Sequence, residues 1–440
     1  MTDSGLFSIL EAELEQLPLV RINGRVAQVV GLVAESQGPD VRVGDLCRIC
    51  FRDGSHSLDA EVVGFRDDRV LLMPLGDLRE VGPGCDVVST NHPLEVGVGD
   101  ALLGRIVDGL GEPLDDKGPM AASDFYPLYA APPHPLRRQM VECPLSVGVR
   151  VVDGMLTLGM GQRIGIFAGS GVGKSTLLGM MARYTTADVN VISLVGERGR
   201  EVREFIERDL GPKGLARSVL IVATSDQPPL IRLNAALTAT AVAEYFRDKG
   251  RNVLLMMDSV TRVARAQREI GLAIGEPPAT RGYTPSVFEM LPRLLERAGA
   301  GEKGSITGIY TVLVEGDDMN EPVADTVRGV LDGHIVLSRK IAARNFYPAV
   351  SVLESVSRVM PAIVSPEHLE AAGRIRDLLA TYAESEDLIN IGAYKSGSNA
   401  RVDWALSHLD SVRDFLGQRV DECSSFEETD RLMLALAPQP

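Results

Sequence analysis

Between Leu19 and about Thr90, apolar and polar residues alternate in short runs. Examples are Val26-Ala27-Gln28-Val29-Val30, Asp59-Ala60-Glu61-Val62-Val63 and Arg69-Val70-Leu71-Leu72, punctuated by Gly, Asp and Asn. Short period-two runs between turn residues predict a small β-barrel over residues 19–95. Upstream, Leu6, Phe7, Ile9, Leu10, Leu14 and Leu17 recur at mostly helical spacing among acidic residues. That spacing predicts an amphipathic helix over residues 1–18. Its apolar stripe either packs on the protein's own body or docks a partner. From about 151 to 345 the pattern changes again. Apolar runs at 163–168, 189–195, 219–224, 252–258, 306–314 and 334–337 alternate with helix-length stretches such as 233–249 and 286–297. Alternation of this kind predicts an α/β domain over residues 96–345, a mostly parallel sheet covered on both faces. Residues 91–150 are rich in Gly and Pro and read as the connection into that domain. Beyond residue 346 the periodicity is helical, at 366–382, 402–416 and 426–436, which predicts a C-terminal helical domain over 346–440.

Composition narrows the class. A chain of 440 residues, 45% hydrophobic and 24% charged, is long enough for two or three globular domains. Its net charge of −15 predicts no nucleic-acid partner, because phosphate-backbone binding relies on Lys and Arg. Cys47 and Cys50 form a CxxC in a strand-like run with no second pair and no histidine cluster, so they read as ordinary reduced cysteines. Met1-Thr2-Asp3-Ser4-Gly5-Leu6 lacks the basic and apolar regions of a secretory leader. No uninterrupted apolar run approaches the roughly 20 residues of a membrane span. A cytoplasmic location is expected, reaching a membrane only through partners.

The chemistry starts at Ala168-Gly169-Ser170-Gly171-Val172-Gly173-Lys174-Ser175, which follows an apolar strand and opens a helix through Thr176. This is the layout of a phosphate-binding P-loop. Glycines turn backbone N–H groups toward a polyphosphate, the helix N-terminus adds positive potential, the lysine spans the outer phosphates and the hydroxyl holds Mg²⁺. Ala168 stands where the motif usually has its first glycine; at a strand end a methyl group fits. In doubly wound sheets, ligands lie beyond the carboxyl ends of the strands. Asp258 ends one strand and suits the carboxylate that orders the Mg²⁺ shell with Ser175. Glu197 follows another and suits the group that orients the attacking water. Glu201 is its neighbour and competitor, or a surface helix charge pairing with Arg198 or Arg203. Arg358, beyond the last strand, is either a structural ion-pairing residue or an arginine finger.

Taken in order, the motifs resemble a known family. They are the P-loop, Gly196-Glu197-Arg198-Gly199-Arg200-Glu201, Met257-Asp258-Ser259-Val260-Thr261-Arg262 and Gly316-Asp317-Asp318-Met319-Asn320-Glu321-Pro322. Leu331-Asp332-Gly333-His334-Ile335-Val336-Leu337-Ser338-Arg339 and Tyr347-Pro348-Ala349-Val350 follow. Together they resemble the type III secretion and flagellar export ATPases, relatives of the catalytic subunit of rotary ATP synthases. Thr224-Ser225-Asp226-Gln227-Pro228, Leu272–Pro278, Gly282–Phe288 and Ser385–Tyr394 look most like the flagellar branch, with the virulence (injectisome) branch as the alternative. The resemblance implies a RecA-like P-loop NTPase core using ATP and Mg²⁺. It implies Glu197 as catalytic carboxylate, Lys174 and Ser175 as phosphate and metal ligands, Arg198 and Arg262 near the γ-phosphate, Tyr347 against adenine and Arg358 as a finger given to the neighbouring subunit. It also implies a homohexamer, a negative regulator on the N-terminal helix, a coiled-coil stalk protein in the ring pore, and an export gate that holds the protein at the inner membrane. Export substrates and their chaperones complete the implied partners. The competing readings are a hexameric RNA translocase, disfavoured by the acidic balance, and a nucleotide-dependent scaffold.

Overall fold

A computed structural model describes residues 23–436, apart from positions 53, 55, 315 and 317. The helix expected over residues 1–18 lies outside the described residues, as does Asp317 of the 316–322 motif. The chain divides into two compact units, residues 1–94 and 95–440.

In the first unit the alternating runs form β1 (Gly24–Val30), β2 (Val33–Gln37), β3 (Asp45–Cys50), β4 (Ser57–Arg66), β5 (Arg69–Pro74) and β6 (Asp86–Pro93). They close into an antiparallel barrel in the order β1-β2-β5-β4-β3-β6. Closure removes the sheet edges, and Val26, Ala34, Ile49, Val62, Leu72 and Val87 fill the interior. Cys47 is buried there, and burial pushes its thiol up to about 11, so it packs as a small hydrophobe.

The second unit opens with β7 (Glu95–Val98), β8 (Ile106–Val107) and β9 (Asp124–Pro127), followed by the pair β10 (Pro144–Leu145) and β11 (Leu158–Gly159). The Gly- and Pro-rich stretch is therefore more than a connection: β7 pairs with β9, and β8 joins the main sheet beside the strand Ser218–Thr224. That sheet also holds β12 (Arg163–Ala168), β13 (Val189–Glu197), β14 (Ser218–Thr224), β15 (Asn252–Asp258), β16 (Gly299–Ala300), β17 (Ser305–Leu313), β18 (Gly333–Leu337) and β19 (Val356–Ser357). Its order is β19-β18-β12-β17-β15-β13-β14-β8, parallel from β18 to β8, with short antiparallel additions by β16 and β19.

Strands this apolar need cover on both faces. Leu254 and Met256 of β15 share a core with Leu177, Leu178 and Met181 of the helix Lys174–Tyr184. On the other face, Ser193 of β13 donates to the Ala235 carbonyl of the helix Pro229–Asp248 at 3.2 Å. The C-terminal helices Pro366–Asn390, Ala400–Leu416 and Phe426–Leu436 send Ile375, Leu378, Leu409, Phe415 and Met433 into the core that holds the Lys174–Tyr184 helix. The first of these runs eight residues past the predicted end, through the acidic segment 384–387, where apolar periodicity fades but nothing breaks a helix. Buried His368 ties the three parts: its ring nitrogens lie 2.7 Å from the Asp430 carboxylate and 2.9 Å from the Gly154 carbonyl.

One buried ion pair fixes the periphery. Arg297 is 2% exposed and forks onto both oxygens of Glu244, at 3.0 and 2.6 Å, while also donating to the Leu128 carbonyl at 2.5 Å. Removing one partner strands a charge in the interior, which costs about 3–5 kcal/mol. Glu244→Gln is accordingly expected to lower the urea midpoint of the second unit by that order of stability; an unchanged midpoint contradicts the assignment.

Candidate active site

Three strand ends supply the site. β12 ends at Ala168, buried to 1% between Leu313 and Leu337, so the methyl group is accommodated within the sheet. The loop that follows leaves Ser170 exposed and buries Val172 in the core. Gly171 and Gly173 have φ of 77° and 86°, values that glycine reaches without the penalty of a Cβ. Gly173 is the N-cap of the helix Lys174–Tyr184, so the first N–H groups of that helix face the loop. Ser175 stands exposed in its first turn. Thr176 hydrogen-bonds Asp209 on the segment behind.

The Lys174 ammonium is 12% exposed and pairs closely with Asp258 at the end of β15. It also lies 3.8 Å from Glu197. Thr311 of β17 donates to the same Asp258 carboxylate at 2.7 Å. Thr311 escapes sequence analysis because a lone hydroxyl in a buried strand most often just satisfies itself locally; only its register beside Asp258 reveals it.

Glu197 differs in placement from the sequence expectation. β13 continues through it, and the register jumps from Val195↔Ala223 to Glu197↔Thr224, leaving Gly196 as an extra residue. A bulge of this kind re-aims the side chain that follows. Gly196 has φ of 66°, and a Cβ there would lie 2.8 Å from Arg262 Cδ. Arg262, in the first turn of the helix Val260–Ile274, uses that space to donate to the Gly196 carbonyl and, at 3.1 Å, to Glu197. Burial first, then the charge of Asp258, push the Glu197 carboxyl up to about 7, against the opposing pull of Lys174. Glu201 pairs with Arg198 at 3.2 Å on the exposed side of the helix, and its nearness adds to the upward push on Glu197.

Not every expected residue joins this group. Arg198 caps the helix Gly199–Glu204 with its side chain 79% exposed. Tyr347 is 42% exposed, its ring 3.3 Å from where a Gly173 Cβ would stand, so it borders the P-loop. Arg358 is exposed and follows β19, which pairs with the amino-terminal end of β18. The P-loop leaves the opposite end of the adjacent β12, a strand about 20 Å long. Arg358 therefore stands away from its own chain's P-loop.

The site's parts recur in known proteins. Residues 148–357 match the ATP synthase alpha/beta family nucleotide-binding domain, residues 26–91 its beta-barrel domain, and residues 364–435 the T3SS EscN ATPase C-terminal domain. The chain is 58% identical to the flagellum-specific ATP synthase of Bacillus subtilis, over 94% of each chain. It is 55% identical to the type 3 secretion system ATPase of Xanthomonas euvesicatoria, over 98% of each. The solved structure of the assembled ATPase EscN from the enteropathogenic E. coli type III secretion system superposes with a TM-score of 0.89 at 46% identity, covering 94% of this chain and all of that one. The chain belongs to the ATP synthase alpha/beta family, among its flagellum-specific ATP synthases and type 3 secretion system ATPases.

Proposed function

We propose that this ATPase energises protein export through a flagellar type III apparatus, as a homohexameric ring whose active sites are shared between neighbours. The observation that carries the reading is the convergence of Lys174, Asp258 and Glu197 at three strand ends, with Glu197 tuned to about 7. A general base works best with a pKa near the operating pH. Glu197 takes a proton from the water that attacks the γ-phosphate as the bond to ADP breaks. Lys174 and the loop N–H groups hold the phosphates, Arg262 orients Glu197, and Tyr347 lies against the adenine.

Among the described residues no three His, Cys, Asp or Glu side chains gather to hold a metal. The exposed Ser175 hydroxyl and the Asp258 carboxylate suit Mg²⁺, which binds through few protein ligands plus phosphates and water. When bound it neutralises charge on the transferred phosphoryl group.

Arg358 stands away from its own P-loop, which supports delivery to the neighbour's site. The assembled EscN, and its structure in complex with the central stalk EscO, support a ring with a stalk partner. A regulator on residues 1–18, an export gate at the membrane, and substrates with their chaperones complete the proposal. Among the described residues no helix is long and apolar enough to cross a membrane. The injectisome is the second reading, favoured by the 55% identity to the Xanthomonas enzyme.

Glu197→Gln is expected to bind ATP and lose at least ~10²-fold in turnover, the scale of general-base catalysis; near-normal turnover removes Glu197 from its role. Because the base works deprotonated, kcat/KM is expected to rise as pH increases through about 7 and to fall below it. A profile flat from pH 6 to 8 contradicts that role. Gly196→Ala drives a methyl group into Arg262, and a displacement near 1 Å lowers turnover ~10²-fold with nucleotide binding kept. Arg358→Ala is expected to be nearly inactive alone yet to regain activity when mixed with Lys174→Ala; absence of rescue rules out the shared site.

A further inference from the structure

At the start of β12, opposite the P-loop, a closed set of hydrogen bonds surrounds the backbone that carries Arg358. Gln162 is fully buried. Its Oε1 accepts from the Gly159 amide at 2.9 Å, and its Nε2 donates to Ser357 Oγ at 3.0 Å and to the Asp332 carbonyl at 3.4 Å. Ser357 in turn donates to the Thr157 carbonyl at 2.9 Å. Asp332 is gripped from both sides. Its amide donates to the Arg163 carbonyl at 2.8 Å, and its carboxylate accepts from the Arg163 amide at 2.9 Å and from the guanidinium at 3.3 Å. Arg163 is itself held at 2.5 Å by Glu296.

The output of this cluster is Arg358. Its amide donates to the Asp332 carbonyl at 3.0 Å, and its guanidinium to the Leu331 carbonyl at 3.3 Å. Gly333 lets β19 approach, since a Cβ there would meet the Val356 carbonyl at 2.5 Å. The Gln162, Ser357 and Asp332 groups named here are all paired, and Arg163 Nη1 meets Glu296 as an ion pair alone, so the backbone on both sides of Arg358 is held while its side chain remains exposed. Such a set is out of proportion for a two-residue edge strand unless the residue that follows must be aimed.

We infer that Gln162, Ser357 and the Arg163–Asp332 pair are positioning residues that aim Arg358 at the neighbouring subunit's active site. The inference rests on the shared-site reading above. It adds that one strand serves two sites: the end of β12 opens this chain's phosphate loop, and its start holds the arginine given away.

Mixed assemblies test this with full-length chains. Gln162→Met, which keeps volume, and Ser357→Ala, which removes one hydroxyl, are each expected to lower kcat at least tenfold with KM for ATP changed less than threefold. Each is expected to regain activity when mixed with Lys174→Ala, whose Arg358 is intact and aimed. Neither regains it with Arg358→Ala, because no subunit in that mixture presents a well-placed finger. A merely structural lesion in the P-loop strand gives the opposite result, with no rescue by Lys174→Ala. If both variants turn over normally, or if Lys174→Ala fails to rescue them while rescuing Arg358→Ala, the inference is overturned. If Lys174→Ala fails to rescue Arg358→Ala itself, the shared-site reading falls and takes this one with it.

Discussion

A single ammonium group set between two carboxylates organises this enzyme. Lys174 neutralises Asp258 closely and Glu197 from 3.8 Å, in a crevice where water screens little. Without that cation two acidic groups could not share the space in ionised form. The unequal distances divide their tasks. Asp258 is held by Lys174 and by the Thr311 hydroxyl, while the carboxyl of Glu197, more weakly compensated, is pushed up to about 7.

The sheet order makes that arrangement possible. β17 lies between β12 and β15, so the loop and Asp258 sit one strand apart with Thr311 between them. β13 follows β15 and brings Glu197 to the far side of Asp258. The C-terminal helices share the core that backs the P-loop helix.

Much of this was legible in the residues. The P-loop, the apolar strands and the barrel are patterns of period and composition; the sheet strands reappear within a residue or two, and the barrel strands run from Gly24 to Pro93. What escaped was set by register. The pair Ile106–Val107 is too short to carry a period, yet it finds a place on the edge of the sheet beside β14, more than 100 residues away in sequence. Thr311 gains its importance only from lying beside Asp258 across two strands. Gln162 reads as an ordinary polar residue before a strand; only the return of the chain at Ser357 gives its amide a purpose. Arg198 and Arg262 looked alike in sequence, but one follows the helix cap outward and the other folds back over Gly196.

The bulge at Gly196 makes the site a matter of arithmetic as well as identity. Along β13, Val191, Ile192, Leu194 and Val195 could exchange for other apolar residues and leave the sheet much as it is. Their number could not change. A residue lost or gained ahead of Glu197 would hand its place to a neighbour and turn its carboxyl group toward the wrong layer. The strand thus tolerates drift in spelling but not in length, and the enzyme's reading frame, in three dimensions, is kept by one glycine.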